Sequence, residues 1–409
     1  MAKGCFNLGV MWGEGTGKEK NLVIARALFK KACDAEHMKS CFNLANLWDR
    51  GEGGKKDQVI ARALFKKSCD AGAARGCFNL GLMWDRGEGG KKDQVISRSL
   101  FKKACDAGHT HGCYNLGLMW KQGEGGATDY VVARTLFKKS CDAGYAKACF
   151  WLGMVWSHGA GGKKDKVIAR ALFKKSCDAG NAKACTELGH MWSQGLGGGA
   201  DHAVAKALHK KSCDAGNAMG CANLGAMWDR GAGGRKDRVI ARALYQKACD
   251  AGYGMGCFNL GILWNGGGGG NKNPTVARAL FKKACDAEFI IGCYNLGHML
   301  TQGEGGDKDE AIARALFKKT CDAVDMKGCH ALAVMWRLGK GGKKDAVIAR
   351  ALFKKSCDTG TTGYAWSCDA LGNMWHLGEG GKKDTIIARA LFRKACDGGR
   401  PKACKYMRQ

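Results

Sequence analysis

Cysteine returns in this chain at a fixed interval, and that interval restricts the fold more than any other feature. Counting from Cys5, a cysteine opens a new unit at Cys41, Cys77, Cys113, Cys149, Cys185, Cys221, Cys257, Cys293, Cys329 and Cys368. Each step is 36 residues except the last, which is 39 because Thr361-Thr362-Gly363-Tyr364 and their neighbours lengthen a turn. A partial twelfth unit starts at Cys404. A period of this size marks units too small to bury an apolar face alone, so that neighbours must stack. At 409 residues the chain also exceeds what one compact core usually holds.

The third unit shows what is repeated. Cys77, Leu80, Gly81 and Trp84 fall at i, i+3, i+4 and i+7, one face of a first helix. Ile96, Leu100 and Ala104, with Ser97 and Phe101 beside them, draw the same stripe on a second helix. Between them, Gly87 and Gly89 have glycine counterparts in all eleven units, as a left-handed helix cap and a positive-φ loop require. Asp93 is aspartate or asparagine in every unit, the residue types that cap a helix N-terminus. Gly81 gives way only to Ala45 and Ala333, keeping a notch for close approach of a neighbouring helix. The pattern predicts an all-α solenoid of eleven helix-turn-helix repeats, a single array over residues 1–409.

Two aromatic columns are expected to form its core. Trp12, Trp48, Trp84, Trp120, Trp156, Trp192, Trp228, Trp264, Trp336 and Trp375 make one, with Leu300 the exception. Phe29, Phe65, Phe101, Phe137, Phe173, Phe281, Phe317, Phe353 and Phe392 make the other.

Two prolines against 63 glycines, with 45% hydrophobic residues, suit helices punctuated by turns rather than disorder. No apolar run is long enough for a transmembrane segment, and the start reads directly as repeat, so no signal peptide is expected. Sixty-six basic and 37 acidic residues leave a net charge of +29, which favours anionic surfaces in general.

The run Leu-Gly-x-x-Trp, Gly-x-Gly-Gly, Asp, then Ala-Arg-Ala-Leu-Phe-Lys-Lys-x-Cys-Asp-Ala-Gly resembles the Sel-one-like repeat, a relative of the tetratricopeptide repeat. With its paired cysteines it is similar to the branch typified by the Helicobacter cysteine-rich proteins, over residues 2–404. That resemblance implies a right-handed α/α superhelix with first helices on the concave side. It also implies disulfides between cysteines eight residues apart, and adaptor or recognition work, often outside the cytoplasm.

The 23 cysteines by themselves admit two regular pairings. A spacing of eight joins Cys33 to Cys41, Cys69 to Cys77, Cys105 to Cys113, Cys141 to Cys149, Cys177 to Cys185, Cys213 to Cys221, Cys249 to Cys257, Cys285 to Cys293, Cys321 to Cys329 and Cys396 to Cys404. Cys357 to Cys368 is eleven, and Cys5 is left over. A spacing of 28, from Cys5 to Cys33 onward, is equally regular and would leave Cys404. The resemblance favours eight. Disulfides would place the chain outside the cytoplasm; reduced, buried cysteines in a cytoplasmic protein are the alternative, which the missing signal peptide supports. No Cys-x-x-Cys occurs and the histidines share no column, so neither metal nor cofactor is expected.

No catalytic residues are expected either. Ser99-Leu-Phe-Lys102 reads Ser-x-x-Lys, a motif of interest because some members of the branch carry a β-lactamase label. It occupies an Ala-Leu-Phe-Lys column, and its companion motifs are absent. The Gly-x-Gly-Gly turns follow helices rather than strands and lack the ending of a phosphate loop.

Binding has better candidates. If the first helices face the concave groove, the positions expected to be exposed are those between their core columns: Phe6, Phe42, Phe78, Tyr114, Phe150, Phe258 and Tyr294, followed by Asn7, Asn43, Asn79, Asn115, Asn223, Asn259 and Asn295. A ladder of amides both donates to and accepts from an extended peptide backbone. Asparagine at these places also has a plainer explanation, as a cap or a tolerated residue near a helix start. One turn on, the residues vary, with Arg50, Arg86 and Arg230 among them, as a specificity surface would. The expected partner is a protein or peptide in a concave groove, met by a monomer. The alternative is an anionic surface held by Lys-Lys pairs such as Lys55-Lys56 and Lys66-Lys67, without sequence-specific nucleic-acid recognition.

Overall fold

Asp93 extends the backbone (φ −147°) and its carboxylate accepts from the Ile96 N–H, which starts the helix Gln94–Asp106. Gly87, at φ 74°, ends the preceding helix Ala74–Arg86, its own N–H bonded to the Met83 carbonyl. The loop between them is closed by the Asp93 N–H on the Trp84 carbonyl at 2.9 Å. The same devices recur along the chain. The computed structural model describes residues 1–17, 19–358 and 364–406, so residues 361–363 of the lengthened turn and the last residues of the partial twelfth unit lie outside the described residues. Among the described residues there are 23 helices and no strand. Nearly all are 13 residues long, and none is long and apolar enough to cross a membrane.

The chain forms two compact bodies, Met1–Asp201 and His202–Gln409. Within each, a second helix packs against its own first helix and against the first helix of the next repeat. The core of the second and third repeats joins Ala45, Phe65, Cys69, Cys77, Leu80, Met83 and Leu100, all at most 6% exposed. The second-helix phenylalanine column is buried throughout, with Tyr245 and His209 in the places of Phe. The glycine notches let the second helix of the same repeat approach closely with its ring: a Cβ on Gly81 would lie 2.8 Å from Phe101 of the helix Gln94–Asp106.

The tryptophan column differs from the expectation. Its members are half-buried, and the fully buried positions one residue earlier are Leu47, Met83, Met119, Val155, Met191, Met227, Leu263, Met299, Met335 and Met374. What covers the tryptophans is an arginine from the repeat before. Arg26, Arg62, Arg98, Arg134, Arg170, Arg242, Arg314 and Arg350 lie 3.1–3.5 Å over Trp48, Trp84, Trp120, Trp156, Trp192, Trp264, Trp336 and Trp375. Lys206 does the same over Trp228 at 3.2 Å. Such contacts are worth about 0.5–2 kcal/mol each. The guanidinium then donates into the next loop, as Arg62 Nη2 does to the Lys91 carbonyl at 3.3 Å. Burial lowers the pKa of Arg62, against the opposing pull of Asp93.

This clamp explains the loop glycines. A Cβ on Gly89 would lie 2.2 Å from the Gln58 carbonyl oxygen of the previous repeat, and one on Gly90 would lie 2.4 Å from Arg62 Nη1. Gly-x-Gly-Gly is therefore the seat of the preceding helix and its arginine.

Eleven disulfides bolt the stack at the other end of the second helix. Ten span eight residues; Cys357–Cys368 spans eleven. Each ties the end of one second helix to the next first helix, and Cys5 is free. The lysine pairs are partly spent here as well. Lys66 binds Asp70 at 2.6 Å, while Lys67 reaches the Cys33 carbonyl at 3.0 Å.

Candidate binding face of the first helices

Asn79 sits well inside its helix, five residues after Ala74, so it caps nothing. Asn43, Asn79, Asn115, Asn223, Asn259 and Asn295 are half-buried and Asn7 is exposed. Among the described residues, none of these seven amides makes a hydrogen bond within the chain. Neighbouring asparagines do: Asn46 Nδ2 donates to the Phe42 carbonyl at 2.9 Å. A half-buried amide without a partner has already lost part of its water, so it gains from a ligand that satisfies it. The column holds Trp151, Glu187, Ala331 and Ala370 in the remaining repeats, so the ladder is interrupted.

The aromatic column beside it is not free surface. Phe78, Tyr114 and Tyr294 are half-buried, each packed on its own repeat's second-helix phenylalanine, as Phe78 is on Phe101 at 5.7 Å. Most also meet the ring that opens the next first helix: Phe78 with His109 at 4.6 Å, Tyr114 with Tyr145 at 5.0 Å. These rings wall the face.

Arg50, Arg86 and Arg230 are exposed at the far end of the same helices. Arg50 and Arg86 are only loosely paired, with Glu52 at 3.8 Å and Glu88 at 3.7 Å. Exposed pairs of this kind hold little energy and yield readily to a ligand. Asn43, Asn46, Leu47 and Arg50 from one helix and Asn79 from the next line one cavity of about 440 Å³. The structure thus brings together three of the candidates, Asn43, Asn79 and Arg50. Asn223, Asn259, Asn295, Arg230 and Tyr294 hold the equivalent positions in the second body.

Sequence reasoning missed the arginine clamp, although the signal was present as an arginine immediately before Ala-Leu, Ser-Leu or Thr-Leu in most repeats. The Ser-x-x-Lys pair shows no catalytic geometry: Ser99 donates to the Ile96 carbonyl at 2.7 Å and Lys102 binds Asp106 at 2.7 Å.

His330 takes the aromatic place in the tenth repeat. It bonds Ser367 Oγ at 2.9 Å and lies against Tyr364 and Phe353. Burial, helped by Arg400, pushes its pKa down to about 4 from 6.5. The unfolded chain therefore takes up this proton first. Stability is unaffected above about pH 7 and declines as pH falls from 6.5 to 4, by up to about 3 kcal/mol. Urea titrations at pH 7 and pH 4.5 should show that loss in the native chain and a smaller one in His330→Phe.

Eleven successive segments match the Sel1 repeat model: residues 2–37, 39–72, 74–109, 110–145, 146–181, 182–217, 218–253, 254–289, 290–325, 327–360 and 367–399. The chain belongs to the Sel1 repeat family. Sel1 repeat proteins serve in general as protein-interaction scaffolds, and the family is typically non-catalytic. Among solved structures, this Sel1 chain is similar to a protective antigen of uropathogenic Escherichia coli with an SLR fold. The identity is 25% and the TM-score 0.72, over 100% of this chain and 87% of that one. A Sel1 repeat protein from Oxalobacter formigenes is 20% identical with a TM-score of 0.62, over 80% of this chain and 93% of that one. Helicobacter pylori cysteine rich protein B is 26% identical over 31% of this chain and 90% of its own, with a TM-score of 0.26. No curated protein sequence matches the chain.

Proposed function

We propose that this Sel1 chain is a peptide-binding scaffold that holds an extended segment of a partner protein along the first-helix face. The observation that carries this reading is the ladder of half-buried asparagine amides without partners in the chain. The second-helix face is spent on stacking, through the arginine clamp and the disulfides, which leaves the first helices to vary. Amides spaced by one repeat suit a peptide backbone, whose donors and acceptors recur along its length. The exposed arginines seven residues on, about two helical turns, then read its side chains. Eleven disulfides suit work in an oxidising compartment, outside the cytoplasm.

The test is selection from a random-peptide library displayed on phage, with selected peptides re-measured by titration calorimetry. Replacing Asn43, Asn79 and Asn115 together by alanine should weaken their binding by about tenfold to a hundredfold. Helicity should be unchanged. Undiminished affinity in the triple variant contradicts the reading.

A further inference from the structure

In five repeats the aromatic column of the first helix is roofed by a ring from the start of the next one. Phe6 lies under His37 at 4.7 Å, Phe78 under His109 at 4.6 Å and Tyr114 under Tyr145 at 5.0 Å. Phe258 lies under Phe289 at 5.2 Å and His330 under Tyr364 at 5.4 Å. Over Phe42 the roofing residue is Ala73, and a cavity of about 490 Å³ opens there. Its floor is apolar, with Phe6, Met38 and Phe42, and Asn43 stands at its side.

Two polar features distinguish this cavity. Ser68, fully buried, lines it, and its hydroxyl has no hydrogen-bond partner. In the same column Ser140, Ser176 and Ser356 donate to the carbonyls of Thr110, Ala146 and Met326. Lys39 and Arg75, both exposed, stand at the mouth and make no ion pair among the described residues. An apolar floor, an unpartnered hydroxyl in the wall and two unpaired cations at the rim match one kind of side chain in one kind of setting.

We infer that the cavity over Phe42 takes a tyrosine side chain from an acidic segment of the bound peptide. The ring stacks on Phe42 where Ala73 supplies none, Ser68 turns its hydroxyl from Gly76 into the cavity and donates to the phenol oxygen, and flanking carboxylates meet Lys39 and Arg75. This inference rests on the peptide-binding reading and names the residue that fixes the register of the peptide.

The probe is a fluorescein-labelled peptide with one tyrosine between pairs of glutamates, titrated with the full chain by fluorescence polarisation. Ala73→His closes the cavity with the ring that His37 and His109 already place in this column, so it should fold normally. It should weaken binding by about tenfold or more, as should alanine for tyrosine in the peptide. Ser68→Ala, a residue native to the column at Ala32 and Ala104, should erase a preference for tyrosine over phenylalanine of about threefold to tenfold. Equal affinity of the native chain and Ala73→His, or no binding by the native chain at about 1 mM, overturns the inference. If Ala73→His is silent while Asn79→Ala and Asn115→Ala weaken binding, the pocket fails and the asparagine face stands. If Ala73→His weakens binding while those alanines do not, the pocket stands alone and the asparagine face fails.

Discussion

Gly89→Ala is expected to destabilise the second and third repeats by roughly 3–5 kcal/mol, far more than a glycine-to-alanine change normally does. Part of this is backbone strain, since Gly89 holds φ at 70°. The larger part is the collision of the new Cβ with the Gln58 carbonyl oxygen at 2.2 Å, because backbone at a helix start has little room to move. Relief requires lifting the loop, which also withdraws the Lys91 carbonyl from Arg62 and unroofs Trp84. Gly72→Ala is the control. Gly72 also holds a positive φ, of 82°, but a Cβ there meets nothing within 4 Å. Glu36, Glu288 and Val324 occupy the same column at φ 58–62°. The control should cost about 1 kcal/mol. Amide exchange should show Gly89→Ala losing protection locally, in helices Gln58–Asp70 and Ala74–Arg86, because repeats contact only their neighbours. A uniform small effect in both variants would contradict the clamp.

Reduction of the disulfides is expected to have a still larger summed effect. Closing a loop of this length restricts the unfolded chain by about 2–3 kcal/mol per bridge in the chain-entropy model. Individual repeats have small cores, so each bridge is a large share of what holds one repeat to the next. Reduced cysteines would remain as small buried hydrophobes, so helices should persist at low denaturant. The urea midpoint should fall substantially on reduction, and the transition should broaden as neighbouring repeats uncouple. A midpoint unmoved by reductant would mean that packing alone holds the stack.

The repeat boundaries, helix faces and turn glycines were legible in the sequence because each depends on a local pattern repeated eleven times. What decided Trp84 against Met83 for the buried place was not local. Both border the apolar stripe, and the choice is made by Arg62 of the preceding repeat, which covers the indole and leaves its edge in solvent. The disulfide pairing was ambiguous for a related reason. Both spacings use the same two columns, and only the approach of one second helix to the next first helix brings Cys69 to Cys77 rather than Cys105. For the binding face, the asparagine column was visible but its lack of partners was not. The slot over Phe42 was hidden entirely, since it requires knowing that residue 73 stands above residue 42. Phe78, Tyr114 and Tyr294 read as exposed because their second-helix partners lie more than twenty residues away in sequence.

The stack depends on each second helix being fixed to the first helix that follows it, and the proposed binding role of the first helices rests on that. Digestion without reduction, followed by mass spectrometry of the linked peptides, tests that most directly. The account predicts Cys69 joined to Cys77, Cys105 to Cys113 and so on through Cys396 to Cys404, with Cys5 as the free thiol. Peptides joining Cys77 to Cys105 within one repeat, or cysteines that are all free in the protein as isolated from its native compartment, would contradict it.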